Sequence, residues 1–215
     1  MKIIDISWPI TPEMTQEPGE GPILFEPTQT FVKDQARETY LHFNAHIGTH
    51  VEAPSYLLRD GKSIDQISLD HFVGPANVID LTNIKQQEIT QEDLKQHTIN
   101  AGDIILLKTQ NSSREPTAPY DNSFVYLSKP ASEYLVKQKI KTFGFDYITL
   151  EPEAEFDRAH RELLEKNIPI IEGLRLFWAT PGLYFLFCLP LDVLGIEAAP
   201  ARAVLIEITE ENMLS

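Results

Sequence analysis

The segment Leu41-His42-Phe43-Asn44-Ala45-His46-Ile47-Gly48-Thr49-His50-Val51-Glu52-Ala53-Pro54 carries more structural and chemical information than any other part of the chain. His46 and His50, four apart, would share a helix face, but Ile47, Gly48, Thr49 and Val51 are poor helix formers. A strand from Tyr40 to Val51 is the better reading. Side chains alternate along a strand, so His42, Asn44, His46, Gly48, His50 and Glu52 fall on one face and Leu41, Phe43, Ala45, Ile47 and Val51 on the other. The second face is core; the first is a row of metal-type ligands interrupted by a residue with no side chain. A straight strand would hold His46 and His50 roughly 13 Å apart at about 3.3 Å per residue. An ion whose bonds are about 2.0 to 2.1 Å long cannot bridge that gap. The strand must bend or end between them, and Gly48 is where this costs least. The competing reading is an edge strand whose histidines titrate on a solvent face.

Working outward, the first hundred residues read mainly as strands, at Ile3 to Trp8, Gln29 to Val32, Tyr40 to Val51 and Asn77 to Leu81, because β-branched and aromatic residues alternate with proline and glycine breaks. From residue 90 the pattern changes. Thr90 suits the N-cap of a short helix, Gln91 to His97, with Asp93 at its third position. Gly102-Asp103 turns the chain into a buried strand, Ile104 to Lys108. Ser128 caps a second helix with Pro130 in its first turn and Ala131 to Lys139 carrying the periodicity. Phe143 to Asp146 follow as strand. A third helix is expected from Glu155 to Lys166, with Asn167 at its left-handed end and Pro169 beyond. Ile168 to Ile171, Leu183 to Leu194 and Ala203 to Ile208 read as further strands, the second of these buried. Helix and strand alternating after a strand-rich first half argue for an α/β or α+β architecture with a mixed sheet. The polar stretch Gln110 to Asn122 is expected to be a lid or a surface loop. With no internal repeat, residues 1–215 are read as a single domain.

Composition narrows the function. The 215 residues carry 18 lysines and arginines against 32 aspartates and glutamates, a formal charge of −14, and 42% are apolar. That field repels phosphate backbones and anionic lipids, so neither nucleic acid nor a membrane is the expected partner; a small-molecule substrate is. The N-terminal run is broken by Asp5 and does not read as a signal peptide, which makes the cytoplasm the expected location. Cys188 is the one cysteine, so a transition metal would have to be held by histidine and carboxylate. A second cluster of such residues is His160, in the third helix, and Glu172, just past the following strand. By themselves these two read as a surface helix residue and a solvated strand end.

These residues carry a family resemblance. His46-Ile47-Gly48-Thr49-His50-Val51-Glu52-Ala53-Pro54 resembles the signature His-x-Gly-Thr-His-x-Asp-x-Pro-x-His of the cyclase family, metal-dependent hydrolases that include bacterial kynurenine formamidase and isatin hydrolase. Gly61 to Asp65, Phe72 to Pro75, Val78 to Leu81, Gly102 to Leu107, Gly144 to Asp146, His160, and Ile168 to Leu174 are similar to the family's other blocks in the family's order, covering residues 3 to 208. The resemblance implies an α/β fold with a mixed sheet, a small β-barrel-like core and flanking helices, assembled as homodimers or homotetramers. It implies a first metal on His46, His50 and Glu52, and a second, bridged by Glu52, on His160 and Glu172. The metal would be divalent, zinc or alternatively manganese, at one or two ions per chain.

The sequence departs from the pattern twice. Glu52 stands where aspartate is usual, adding a methylene while keeping the charge. Tyr56 stands where the motif's last histidine, the formamidases' proposed acid/base, would be. A phenol is a weak base at neutral pH, although nearby cations would lower its pKa, and it can donate a hydrogen bond to an oxyanion. Packing against Pro54 would explain Tyr56 equally. The expected activity is hydrolysis of an amide, formamide or cyclic imide carbonyl, with Glu52 and Tyr56 as catalytic candidates. The alternative is a diverged cyclase or dehydratase, or a metal-retaining binding protein. Trp8, Tyr40 and Phe43 either line an apolar pocket or pack in the core.

Overall fold

The computed structural model describes residues 2–152 and 158–207. In chain order, β1 (Ile3–Asp5) is followed by β2 (Leu24–Gln29), the short helix α1 (Phe31–Asp34) and β3 (Glu38–His42). Then come β4 (His50–Glu52), β5 (Val73–Asp80), β6 (Glu88–Ile89), α2 (Gln91–Lys95) and β7 (Ile104–Lys108). The remainder is β8 (Tyr126–Leu127), α3 (Lys129–Gln138), β9 (Thr142–Phe145), α4 (Arg158–Leu164), β10 (Ile170–Glu172), β11 (Gly182–Pro190) and β12 (Ala198–Glu207).

Eight strands form one mixed sheet in the order β1-β12-β11-β5-β7-β9-β10-β4, and a further pairing of β12 with β4 closes seven of them into a barrel, with β1 outside on β12. The mixed sheet expected from the residue pattern is present, as are the barrel-like core and flanking helices that the resemblance implies. Strands β5, β7, β9 and β10 run parallel and the other pairings are antiparallel. Central β7 is apolar at Ile104, Ile105, Leu106 and Leu107, all fully buried, as a parallel strand covered on both faces requires. Ile104 and Leu106 point into the barrel with Val51, Val78, Ile171, Leu186 and Leu205. Ile105 and Leu107 point outward against Leu94, Leu135, Leu163 and other helix residues.

Local chemistry fixes the helices. Thr90 and Asp93 form a reciprocal capping box on α2, which ends at Lys95, two residues short of the expected His97. Ser128 Oγ accepts from Ala131 N at the start of α3, and Lys139 closes it in the left-handed conformation. Asn167 is left-handed after α4, as its position suggested. The expected start of that helix at Glu155 lies outside the described residues, as does Ile208 at the end of the last strand.

Three expectations are corrected. Gln29 to Val32 is not strand: β2 ends at Gln29, and Phe31 begins α1 with Thr30 at its N-cap. Tyr40 to Val51 is two strands. β3 ends at His42 in a two-stranded ribbon with β2, and β4 begins at His50 in the barrel. Between them Asn44 Oδ1 accepts from His46 N, and Gly48 adopts φ 57°, a left-handed geometry that breaks the ladder. The Leu183 to Leu194 strand is shorter and buried on one face. Tyr184, Leu186 and Cys188 are inside, whereas Leu183, Leu189, Leu191 and Leu194 are exposed, because the helices cover the other side of the barrel.

Candidate metal centre

Two glycines bring the candidate ligands together. Gly48, before β4, and Gly173, after β10, both have positive φ, and their backbones nearly touch: a Cβ at Gly173 would lie 2.1 Å from Gly48 O. Thr49 Oγ1 donates to Gly173 O (2.5 Å) and accepts from Trp8 N (2.7 Å), which ties β1's continuation to the same point. The antiparallel register then sets Glu172 opposite His50. The methylene-longer Glu52 reaches in from the same strand as His50, and His160 approaches from α4.

The result is two ligand sets sharing one carboxylate, His46/His50/Glu52 and Glu52/His160/Glu172, with the candidate ligand atoms of each set within 4.8 Å of one another. His46 Nδ1 lies 2.8 Å from Glu52 Oε1, and His50 Nε2 lies 3.4 Å from Glu172 Oε2. His160 Nε2 lies 3.2 Å from Glu172 Oε1 and 3.5 Å from Glu52 Oε2. All five residues named from the sequence therefore meet. His160 and Glu172, which alone read as solvent-facing, are each only 2% exposed. His42 does not join: it sits exposed on the ribbon, 3.1 Å from Glu26.

The donor set fits a cation. His50 Nδ1 donates to Gly48 O (3.0 Å), which turns Nε2 toward Glu172 and Glu52. That atom and Glu52 Oε2 are buried without a hydrogen-bond partner, an arrangement native proteins avoid unless something else satisfies them. Burial opposes charging His50, yet Glu172 and Glu52 outweigh it and push its pKa up to about 10. His160 is likewise raised: Glu52, Glu151 and Glu172 overcome its burial. Burial resists ionising Glu52 too, but the neighbouring imidazoles, led by His160, hold its carboxyl well below the usual range. The buried carboxylates thus hold positive charge on their neighbours, the role a divalent ion takes over.

Sequence reasoning missed Glu151. It is buried, and its Oε1 accepts from His160 Nδ1 at 2.7 Å while Oε2 accepts from Ala159 N at 2.8 Å. It therefore orients the ring so that Nε2 faces the centre. The signal was an acidic residue, followed by proline, ahead of the helix carrying His160. Also missed were Glu17, Glu20 and Glu197, which line the same cavity of about 270 Å³ with Met14, Ile47, Tyr56 and Ile148. Glu197 Oε1 lies 3.4 Å from His46 Nε2, and Glu20 accepts from Asn44 Nδ2 at 2.6 Å.

Tyr56 is in the cavity, its ring 4.6 Å from that of His46 and 5.9 Å from that of His160. Burial first, then the charges of Glu52 and Glu172, push its phenol well above the ordinary range, so it stays protonated and is a donor. Of the aromatic candidates, Trp8 is buried with its Nε1 on Pro116 O, Phe43 packs partly buried against the core, and Tyr40 is exposed; none lines the cavity. The Gln110 to Asn122 stretch is pinned. Asp146 accepts from Thr109 and Ser112, Asn111 bonds Val125 twice, and Pro116 O and Ala118 O hold Thr15 beside the cavity.

A closed mixed barrel with histidines and glutamates gathered where its strands meet forms a candidate metal centre. The Cyclase family model matches residues 4–152, and the chain belongs to that family. It is 33% identical over 208 residues to a kynurenine formamidase of Salinibacter ruber, covering 95% of this chain and 97% of the relative. It is also 33% identical over 218 residues to cyclase-like protein 3 of Arabidopsis thaliana, covering 96% and 80%. Among solved structures, one of a potential metal-dependent hydrolase with cyclase activity superposes with a TM-score of 0.84 at 31% identity, covering 95% and 96%. An isatin hydrolase shares the fold at a TM-score of 0.82 and 19% identity, covering 97% and 93%.

Proposed function

We propose that this protein is a divalent-metal-dependent hydrolase that cleaves the C–N bond of a small amide, formamide or cyclic imide. The observation that carries the reading is the pair of candidate ligand sets joined through Glu52, with His50 Nε2 and Glu52 Oε2 buried without a hydrogen-bond partner. Similarity to a kynurenine formamidase over nearly the whole chain favours a formamide of an aromatic amine. His46, His50 and Glu52 hold one ion, and Glu52, His160 and Glu172 a second; zinc suits imidazole and carboxylate, with manganese as the alternative. Bound there, such ions polarise a carbonyl and lower the pKa of water toward about 7.

The chain's own groups do the rest. Glu151 and the Gly48 carbonyl keep His160 and His50 in the ligating tautomer. Tyr56, neutral through burial, donates a hydrogen bond to the oxygen that gains charge as the carbonyl is attacked. Met14, Ile47 and Ile148 give the cavity its apolar wall. The enzyme works in the cytoplasm, where a lone buried Cys188 is at home. No helix among the described residues is long and apolar enough to cross a membrane. It assembles as a homodimer or homotetramer, which would cover Leu24, Phe25, Tyr40 and Leu41 on the β2–β3 ribbon.

The test is elemental analysis of the purified protein together with turnover on a panel of formamides, cyclic imides and esters. Stoichiometric zinc or manganese with formamide or imide hydrolysis is expected. Absence of bound metal, or bound metal without hydrolysis of any C–N substrate, would overturn the reading.

A further inference from the structure

Hydrolysis of an amide ends with the departure of an amine, which leaves poorly unless its nitrogen receives a proton as the C–N bond breaks. The motif histidine that would serve is Tyr56 here, and its phenol is too weak an acid to be the natural source. The remaining titratable groups of the cavity are few. His46, Glu52, His160 and Glu172 form the ligand sets, Glu197 lies against His46, and Glu20 is engaged by Asn44. Glu17 is left, held among the described residues by one long hydrogen bond from Tyr120.

Resting on the hydrolase reading above, we infer that Glu17 is the general acid of this enzyme, a catalytic residue that delivers its carboxyl proton to the leaving nitrogen. Its placement is built. Thr15, two residues earlier, is fastened by its N–H to Pro116 O (2.8 Å) and by its hydroxyl to Ala118 O (2.7 Å), and Met14 is buried beside it. From that anchor Glu17 projects half-buried into the cavity wall, where Tyr120 Oη donates to its Oε1 at 3.4 Å. One carboxyl oxygen is steadied by the phenol while the other is available to carry the proton.

Burial is the leading cause that favours a protonated Glu17 carboxyl, and it persists when cations neutralise the charge of Glu172. Burial, then Glu172 on β10 and Glu20 on its own segment, raise Glu17 to about 7, against His160 on α4 and the Tyr120 hydrogen bond. A carboxylic acid poised near neutrality suits proton transfer. In the balanced step water adds to the carbonyl carbon, the C–N bond breaks, and the Glu17 proton goes to nitrogen. The proton released by the water returns through solvent to the Glu17 carboxylate and restores its acid form, leaving a carboxylic acid, which then ionises in solution, and the amine.

The experiment uses the metal-loaded protein and ring-substituted formanilides whose anilines span a range of basicity. Glu17→Gln should keep its metal content and fold, lose about 10² to 10⁴ in kcat on the most basic leaving aniline, and approach wild type as the aniline becomes a better leaving group. The alkaline fall of wild-type kcat/KM, where the acid form is lost, should be absent in Glu17→Gln, and Glu17→Asp should recover part of the rate. Parallel dependence on leaving group in wild type and Glu17→Gln, with wild-type turnover intact, would overturn the role of Glu17 alone. Failure of metal-loaded wild type to hydrolyse any formanilide would overturn the formamide reading with it.

Discussion

Gly173→Ala is the most searching test of how this fold builds its centre. Gly173 has φ +66°, so any Cβ there incurs roughly 1 to 2 kcal/mol of backbone strain. The added methyl would also lie 2.1 Å from Gly48 O, 2.6 Å from Gly48 C and 3.0 Å from Thr49 N. All three are backbone atoms, so no side chain can swing aside. Relief requires moving β10's end away from the entry to β4, at about 1 to 3 kcal/mol for an overpacked contact. Together these give a loss of about 2 to 5 kcal/mol, a large share of a typical domain's stability. Gly102→Ala is the control, because Gly102 also has positive φ (+85°) but nothing within 4 Å of its Cβ direction, so it reports backbone strain alone. Urea unfolding gives the stabilities and mass spectrometry the metal content. Gly173→Ala should be the less stable by at least 1 kcal/mol and should bind less metal, since Glu172 and His50 would be pushed apart. Equal stability losses in the two variants, with full metal content in Gly173→Ala, would refute the argument that this backbone contact assembles the ligands.

His50→Ala should sharply reduce bound metal with the fold retained, and unchanged metal content by mass spectrometry would remove His50 from the ligand set. Glu172→Gln should lose about half of the metal if two ions bind; a wild-type stoichiometry of one ion per chain would instead make His160 and Glu172 orienting partners of a single ion's ligands. Tyr56→Phe should leave metal content unchanged and lower turnover by roughly 10² to 10³, the cost of one oxyanion donor, and a neutral effect would exclude a catalytic phenol. Burial pushes the Cys188 thiol up to about 12, so the reactive thiolate is scarce in the native state at pH 8. Alkylation should therefore track global unfolding, and rapid modification of the folded protein would contradict the buried position of β11's inner face.

The amino-acid order alone determined those features that depend on near neighbours. Thr90 with Asp93, Ser128 ahead of Pro130, and Asn167 after α4 mark helix ends because capping uses atoms only a few residues apart. The unbroken apolar run Ile104 to Leu107 marks a central strand for the same reason. In the motif segment, the distance between His46 and His50 required a break, and Gly48 was the residue able to supply it. The candidate ligand residues were legible as chemical types, and their pairing followed from a likeness to a family.

Tertiary structure decided what depends on distant parts of the chain. Closure of the barrel needs β12 to pair with β4, an encounter across almost 150 residues that no local pattern encodes. The burial of His160 and Glu172 comes from Gly173 meeting Gly48 and from Glu151 holding the imidazole, so residues that looked solvent-facing became deeply buried. His42 shows the converse. Its place in the alternation promised a ligand, but β3 peels away into a ribbon paired with β2 and carries it out of reach. Glu17 has no motif around it at all; its position is set by Thr15 bonding carbonyls about a hundred residues later. Sequence patterns report neighbours within a turn or a strand, whereas hydrogen bonds and backbone contacts between remote segments fix where a charge finally sits.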